Sequence, residues 1–180
     1  APGCKDADYC SFILARYDQP PDSFRGGVAV VNNPDSMSGM LALKLVFAPF
    51  ATDGRFFARA MQSGGHVKSM LAVRDGLADV CAIDAVCVAM ARRYRPDYLE
   101  GLVEIARSPS VPGLPYVTRG GNIEAMRQGL VAAFADSDLQ LCREQLFLSG
   151  HSVLRPNAYE RITDLDRDMQ KAGGLELNDH

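Results

Sequence analysis

Two short connections in this 180-residue sequence concentrate groups suited to holding an oxyanion. In the first, Asp35, Ser36, Met37, Ser38 and Gly39 follow an apolar run and precede a helical pattern. Two hydroxyls there stand beside the first N–H groups of a helix, which have no partner within it. The helix dipole adds roughly half a positive charge at that end. An oxyanion is then held by charge-assisted hydrogen bonds without any Lys or Arg. The second connection, Ser63, Gly64, Gly65 and His66, repeats the arrangement with an imidazole as a further donor. Asp84 opens a third helix after another apolar run. In an open parallel sheet, ligands bind at the carboxyl ends of the strands, so all three connections face one crevice. A carboxylate beside an anion reads a proton or a cationic group on the ligand, or it simply caps its helix. Either Ser-rich loop alone is accounted for by an ordinary cap; two on neighbouring strand ends point to binding.

Other chemistry finds little support. The sequence has no GxSxG elbow, no P-loop, no GxGxxG opening a helix and no HExxH, and nothing in it implies a cofactor. Its three histidines are His66, His151 and His180. His151, between Gly150 and Ser152, reads as a turn residue, and nothing supports a Cys10–His66 nucleophilic couple. Five cysteines, at 4, 10, 81, 87 and 142, contain no CxxC, which argues against structural zinc. Three lie in apolar stretches as small core residues. Only Cys4 and Cys10 are placed to pair as a disulfide, in an oxidising compartment.

The elements that must position these loops follow from apolar runs and breakers. Residues 9–16 read as a strand, and the prolines near residue 20 form a first connector. Residues 27–32 form a short, continuously apolar run, as a strand buried on both faces should, and 78–83 read as another buried strand. Residues 57–62 are a weaker strand, and 102–107 a further one. Helical patterns cover 40–47, 67–74 (with Gly76 to end it) and 84–93. Strand and helix thus alternate three times across 27–107 and close on a strand, which predicts a parallel sheet with helices on its faces. The proline-rich 108–115 is a second connector, with a short strand at 116–118 beyond it. Asn122 caps a helix to about Phe134, Asp136 or Ser137 caps the next, and residues 157–171 form a last one ending at Gly173 and Gly174.

Composition sets the class. At 47% hydrophobic and 23% charged, with net charge -3, the chain can bury a core. No basic block makes nucleic acid a partner, and no apolar run is long enough to span a bilayer. The N-terminus shows no basic-then-apolar leader pattern.

The loop at 33–39 after an apolar strand, the loop at 63–66 and the run 76–84 together resemble one family. It is the phosphate/phosphite/phosphonate-type substrate-binding proteins of ABC transporters, with the type II periplasmic binding fold. Residues 9–16 resemble its last first-lobe strand, and 112–115 its return crossing. The resemblance implies two lobes that close on an oxyanion, with Ser36, Ser38 and His66 on its oxygens and Tyr9 covering them. Gly39, Ser63 and Asp84 complete the expected ligand-binding set. Met37 stands where phosphonate binders commonly carry a small polar residue.

The fold expected is therefore α/β, with residues 18–108 a complete lobe inserted into a partial one made of 1–17 and 109–180. The expected function is binding of a small phosphate- or phosphonate-like oxyanion for delivery to an ABC transporter permease, in the periplasm by resemblance. A cytoplasmic effector-sensing domain of a regulator is the alternative, and a hydrolase or transferase on phosphorylated small molecules ranks third. Family members carry a further stretch before the strand at 9–16. Without it, that strand's Phe12, Ile13 and Leu14 are expected to be exposed, and a homodimer pairing the strand with its copy is expected to cover them.

Overall fold

The structure, a computed structural model, describes residues 2–177. His180 lies outside the described residues. Strands β1 (Asp8–Tyr9), β2 (Ser11–Ala15), β3 (Val28–Val31), β4 (Arg59–Gln62), β5 (Val80–Asp84), β6 (Val103–Arg107) and β7 (Val111–Pro112) form two sheets. The larger has the order β4-β3-β5-β2-β6, and β1 pairs with β7 in the smaller. Helices α1 (Ala42–Phe47), α2 (His66–Arg74) and α3 (Ala85–Tyr94) alternate with the strands of the larger sheet. Beyond it come α4 (Ile123–Ala135), α5 (Gln140–Gln145) and α6 (Glu160–Lys171).

The β4, β3 and β5 strands run parallel, β3 and β5 largely buried on both faces and β4 at the edge with its ends exposed. The sheet is completed differently from the sequence expectation. β2 inserts between β5 and β6, antiparallel to both, with Ile13 opposite Ala82 on one side and Ala106 on the other. The strand assigned to the partial lobe therefore sits inside the sheet of the complete one. Phe12, Ile13 and Leu14 are fully buried. The exposed edge that motivated a homodimer does not exist at this strand.

Side-chain alternation along β2 builds both layers of the core. Phe12 and Leu14 join Val30, Cys81 and Ile83 under Met70 and Val73 of α2 and Val88 of α3. Ile13 and Ala15 point the other way, with Ala29, Val31, Val80 and Ala82, against Leu43 and Phe47 of α1. Leu175 completes that second layer, so the chain returns after α6 to cover the sheet. Residues 172–177 therefore belong with this lobe, contrary to their assignment to the partial one. No strand forms at 116–118. The ladder of the return crossing ends at Pro112, and residues 113–118 join no strand.

The two crossings between the parts lie side by side. Asp8 and Tyr9 pair with Pro112 and Val111. Gly113 N–H donates to Ala7 O at 2.7 Å, and a Cβ on Gly113 would stand 2.9 Å from that oxygen. Ser108 fastens the junction: its hydroxyl accepts from Ser11 N–H at 2.9 Å and its own N–H donates to Ser11 O at 2.9 Å. Tyr159 Oη donates to Gly113 O at 3.0 Å, linking the C-terminal part to the return crossing.

Candidate functional site

Three strand-to-helix connections converge at the carboxyl ends of β3, β4 and β5. After β3, Ser36 caps the helix start, its Oγ accepting from Gly39 N–H at 3.0 Å. The first turn, Met37–Leu41, is a π-type turn in which Ala42 N–H reaches the carbonyls of Met37 and Gly39. It widens the backbone at the point where the hydroxyls cluster. Ser38 Oγ lies 3.5 Å from Ser36 Oγ and 2.9 Å from His66 Nε2. The two loops singled out in the sequence thus meet through a hydroxyl–imidazole contact.

Each expected residue finds a specific place. Gly39 is needed for shape: a Cβ there would stand 1.8 Å from Asn32 Oδ1, and its N–H is already taken by Ser36. Ser63 turns into its own loop, its Oγ lying 2.7 Å from Ser69 Oγ, 3.2 Å from Val31 O and 3.1 Å from Gly65 O. It shapes the turn that delivers His66. Asp84 is buried and caps α3, its Oδ1 accepting from Val86 N–H at 2.6 Å and Cys87 N–H at 3.2 Å. Tyr9, on the first crossing, is brought close enough to Asp84 that the carboxylate's charge adds to burial in pushing the phenol up to about 12. Tyr9 therefore stays a neutral hydroxyl donor at any physiological pH.

His66 opens α2, and burial lowers its pKa below the usual 6.5, against the opposing pull of Asp84. Its Nδ1 is buried with no hydrogen-bond partner. A bare ring nitrogen is cheaper to leave unpaired than an N–H, which favours the tautomer with hydrogen on Nε2. His66 then donates toward Ser38 and the space beside it. Because the folded pKa is lowered, the unfolded chain binds more protons below pH 6.5. The corresponding stability is fully present above that pH and is lost as pH falls through the folded value. The ligand-free thermal midpoint is expected to drop between pH 7 and about pH 5. His66→Gln should make that drop shallower, and equal slopes would assign it to other groups.

A cleft of about 860 Å³ opens between the α/β lobe and the C-terminal part. Asp8, Tyr9 and Asp84 line one side, and Tyr116, Met126, Arg127, His151 and Tyr159 line the other. Asp84 joins this cleft to the Ser38–His66 contact, since its charge is felt at both Tyr9 and His66. Tyr116 and Tyr159 were not singled out in the sequence, because isolated aromatics in a loop and before a helix carry no local signal. His151, read as a turn residue, packs at a tilt against Phe134, 5.1 Å between ring centroids, while lining the cleft. A smaller pocket of about 220 Å³, lined by Arg55, Arg59 and Glu176 among others, contains none of the expected site residues. Among the described residues no cluster of metal-ligating side chains occurs.

Residues 3–169 match the family model described as ABC transporter, phosphonate, periplasmic substrate-binding protein. The chain belongs to this family. Its fold is shared with solved structures at low identity. A binding-protein component of an ABC phosphonate transporter from Pseudomonas aeruginosa superposes with TM-score 0.76 at 21% identity, over 93% of this chain and 59% of that one. PhnD1 from Prochlorococcus marinus, in complex with methylphosphonate, gives 0.74 at 14% identity, over 92% and 68%. XAC2383 from Xanthomonas citri, bound to ATP, gives 0.65 at 20% identity, over 92% and 67%. The chain thus spans between 59% and 68% of the length of these three solved chains. No protein with a curated description matches it.

Proposed function

We propose that this chain is the ligand-closing part of a solute-binding protein that takes a small phosphate- or phosphonate-like oxyanion and delivers it to an ABC transporter permease in the periplasm. The observation that carries the reading is the meeting of Ser38 Oγ with His66 Nε2, 2.9 Å apart, beside the hydroxyl of Ser36 at a helix start. Hydroxyl and imidazole donors there can turn to an anion, and the helix start adds its positive end. Tyr9 and Asp84 carry the site into the cleft, where Tyr116, Met126 and Tyr159 offer an apolar wall to an organic substituent. Asp84 supplies the acceptor for a proton or amine on that substituent, using the oxygen not spent on the cap.

Binding accounts for the geometry better than turnover does. A serine beside a histidine suggests a nucleophile and its base. That chemistry requires an acid on the far ring nitrogen to orient the imidazole, and His66 Nδ1 has none.

Titration of the chain with inorganic phosphate and with methylphosphonate tests the reading. Ser38→Ala removes one hydrogen bond to a charged group, worth ~1.5–3 kcal/mol, so affinity should fall by roughly one to two powers of ten. An unchanged dissociation constant in the folded variant overturns the assignment.

A further inference from the structure

The two cysteines nearest the N-terminus are brought together by features unrelated to the oxyanion loops. Asp8 N–H donates to Lys5 O at 3.0 Å, closing a tight turn with Asp6 at φ 51°. That turn folds residue 4 back toward the start of β2. Gly3, at φ 86°, lies so close over the Phe12 ring that a Cβ would stand 2.9 Å from its edge. Arg107 Nη1 reaches Gly3 O at 3.5 Å from β6. Cys4 consequently packs half-buried against the apolar cluster that contains the buried Cys10, its thiol within hydrogen-bonding reach of the Cys10 thiol. Both thiols are free.

We propose that Cys4 and Cys10 form an intramolecular disulfide across the Lys5–Asp8 turn, tying the segment ahead of the first crossing to the sheet. The oxidant is a disulfide, of a thiol–disulfide oxidoreductase or of a small thiol. The half-exposed Cys4 sulfur, as thiolate, attacks one sulfur of that disulfide and displaces the first thiol. Cys10 then loses its proton and attacks the Cys4 sulfur of the mixed disulfide, displacing the second. Two protein thiols become one disulfide and the oxidant becomes two thiols, so atoms and electrons balance.

The order of attack follows from access. Burial and the neighbouring Cys4 push the Cys10 thiol up to about 11, so it is the resolving partner, and closure quickens as pH rises. Cys81 is fully buried in the core, and Cys142 stands exposed on α5, away from the turn. The bond closes a short loop that contains the cleft residue Tyr9. It adds a covalent link on the lobe side to the hydrogen bonds that hold this segment, those of β1 with β7 and of Arg107 with Gly3 O. Delivery to an oxidising compartment rests on the transport reading above; formation of the bond does not.

The test uses purified chain equilibrated with oxidised and reduced glutathione, then alkylated in denaturant and digested with trypsin. Cleavage after Lys5 and Arg16 separates the two cysteines, so the bond appears as the peptide ending at Lys5 linked to residues 6–16. The linked pair is expected, with a thermal midpoint raised by about 5 °C over the reduced protein. Cys4→Ser should leave Cys10 fully alkylated and abolish the shift. Recovery of both peptides alkylated after oxidation overturns the proposal, as does Cys10 linked to any other cysteine or a disulfide-bonded dimer through Cys142. None of these readouts involves oxyanion binding, so failure here leaves the transport reading standing.

Discussion

Gly39→Ala is expected to cripple both the fold and the anion loop. The new Cβ would stand 1.8 Å from Asn32 Oδ1, 2.8 Å from its carbon and 3.3 Å from Ser36 Oγ. The methyl has no torsion with which to avoid this, so the buried end of the Asn32 side chain and the π-type turn must move apart. Overpacking of a close contact costs ~1–3 kcal/mol and at times more. In a chain of this size that lowers the melting midpoint by roughly 2–12 °C. The displaced turn also carries Ser36 and Ser38 away from His66, so phosphate affinity should fall at least as far as in Ser38→Ala. Gly65→Ala is the control, since a Cβ there meets nothing within 4 Å. Differential scanning fluorimetry on the pair checks the claim, and equal losses in the two would overturn the steric account.

Leu175→Ala is expected to cost ~2–5 kcal/mol, the scale for emptying a buried leucine site. Leu175 is buried among Ile13, Leu43, Phe47 and Phe56, in the layer of the core on the α1 side of the sheet. Glu176 N–H donates to Gly54 O at 2.8 Å, which anchors the tail beside it. Leu141→Ala, at a 63% exposed position on α5, should shift stability by only a few tenths of a kcal/mol. Urea unfolding of the two variants decides the matter. A loss at Leu175 no larger than that at Leu141 would mean that the tail does not complete the lobe.

Much of the fold was legible because short apolar runs rich in Val and Ile, set between breakers and helical patterns, read as buried strands. The β3–α1, β4–α2 and β5–α3 units appear where the sequence placed them, and with them the loops of Ser36, Ser38, His66 and Asp84. What stayed hidden is what depends on distant partners. Residues 9–16 read correctly as a strand, but nothing local says that β2 lies antiparallel between β5 and β6. The expected exposure of Phe12, Ile13 and Leu14 followed from that misplacement and fell with it. Ser63 and Ser38 look alike in sequence. Only the packed loop turns the first toward Ser69 and the second toward His66. The cap and the ligand reading of Asp84 were never exclusive, since one carboxylate oxygen serves the helix and the residue still lines the cleft.

The position of β2 also governs the order in which the molecule can assemble. This strand precedes the rest of its sheet in the sequence, so Ile13 has no neighbour until Ala82 and Ala106 have followed it. Pairings so distant in sequence are slow to form, because the entropy of closing a long loop must be met before any contact rewards it. The apolar stretch of Phe12, Ile13 and Leu14 therefore waits unpaired while most of the lobe is made, and Leu175 seals its far face later still. During that interval the nascent chain carries an exposed, aggregation-prone strand whose sheet is not yet complete.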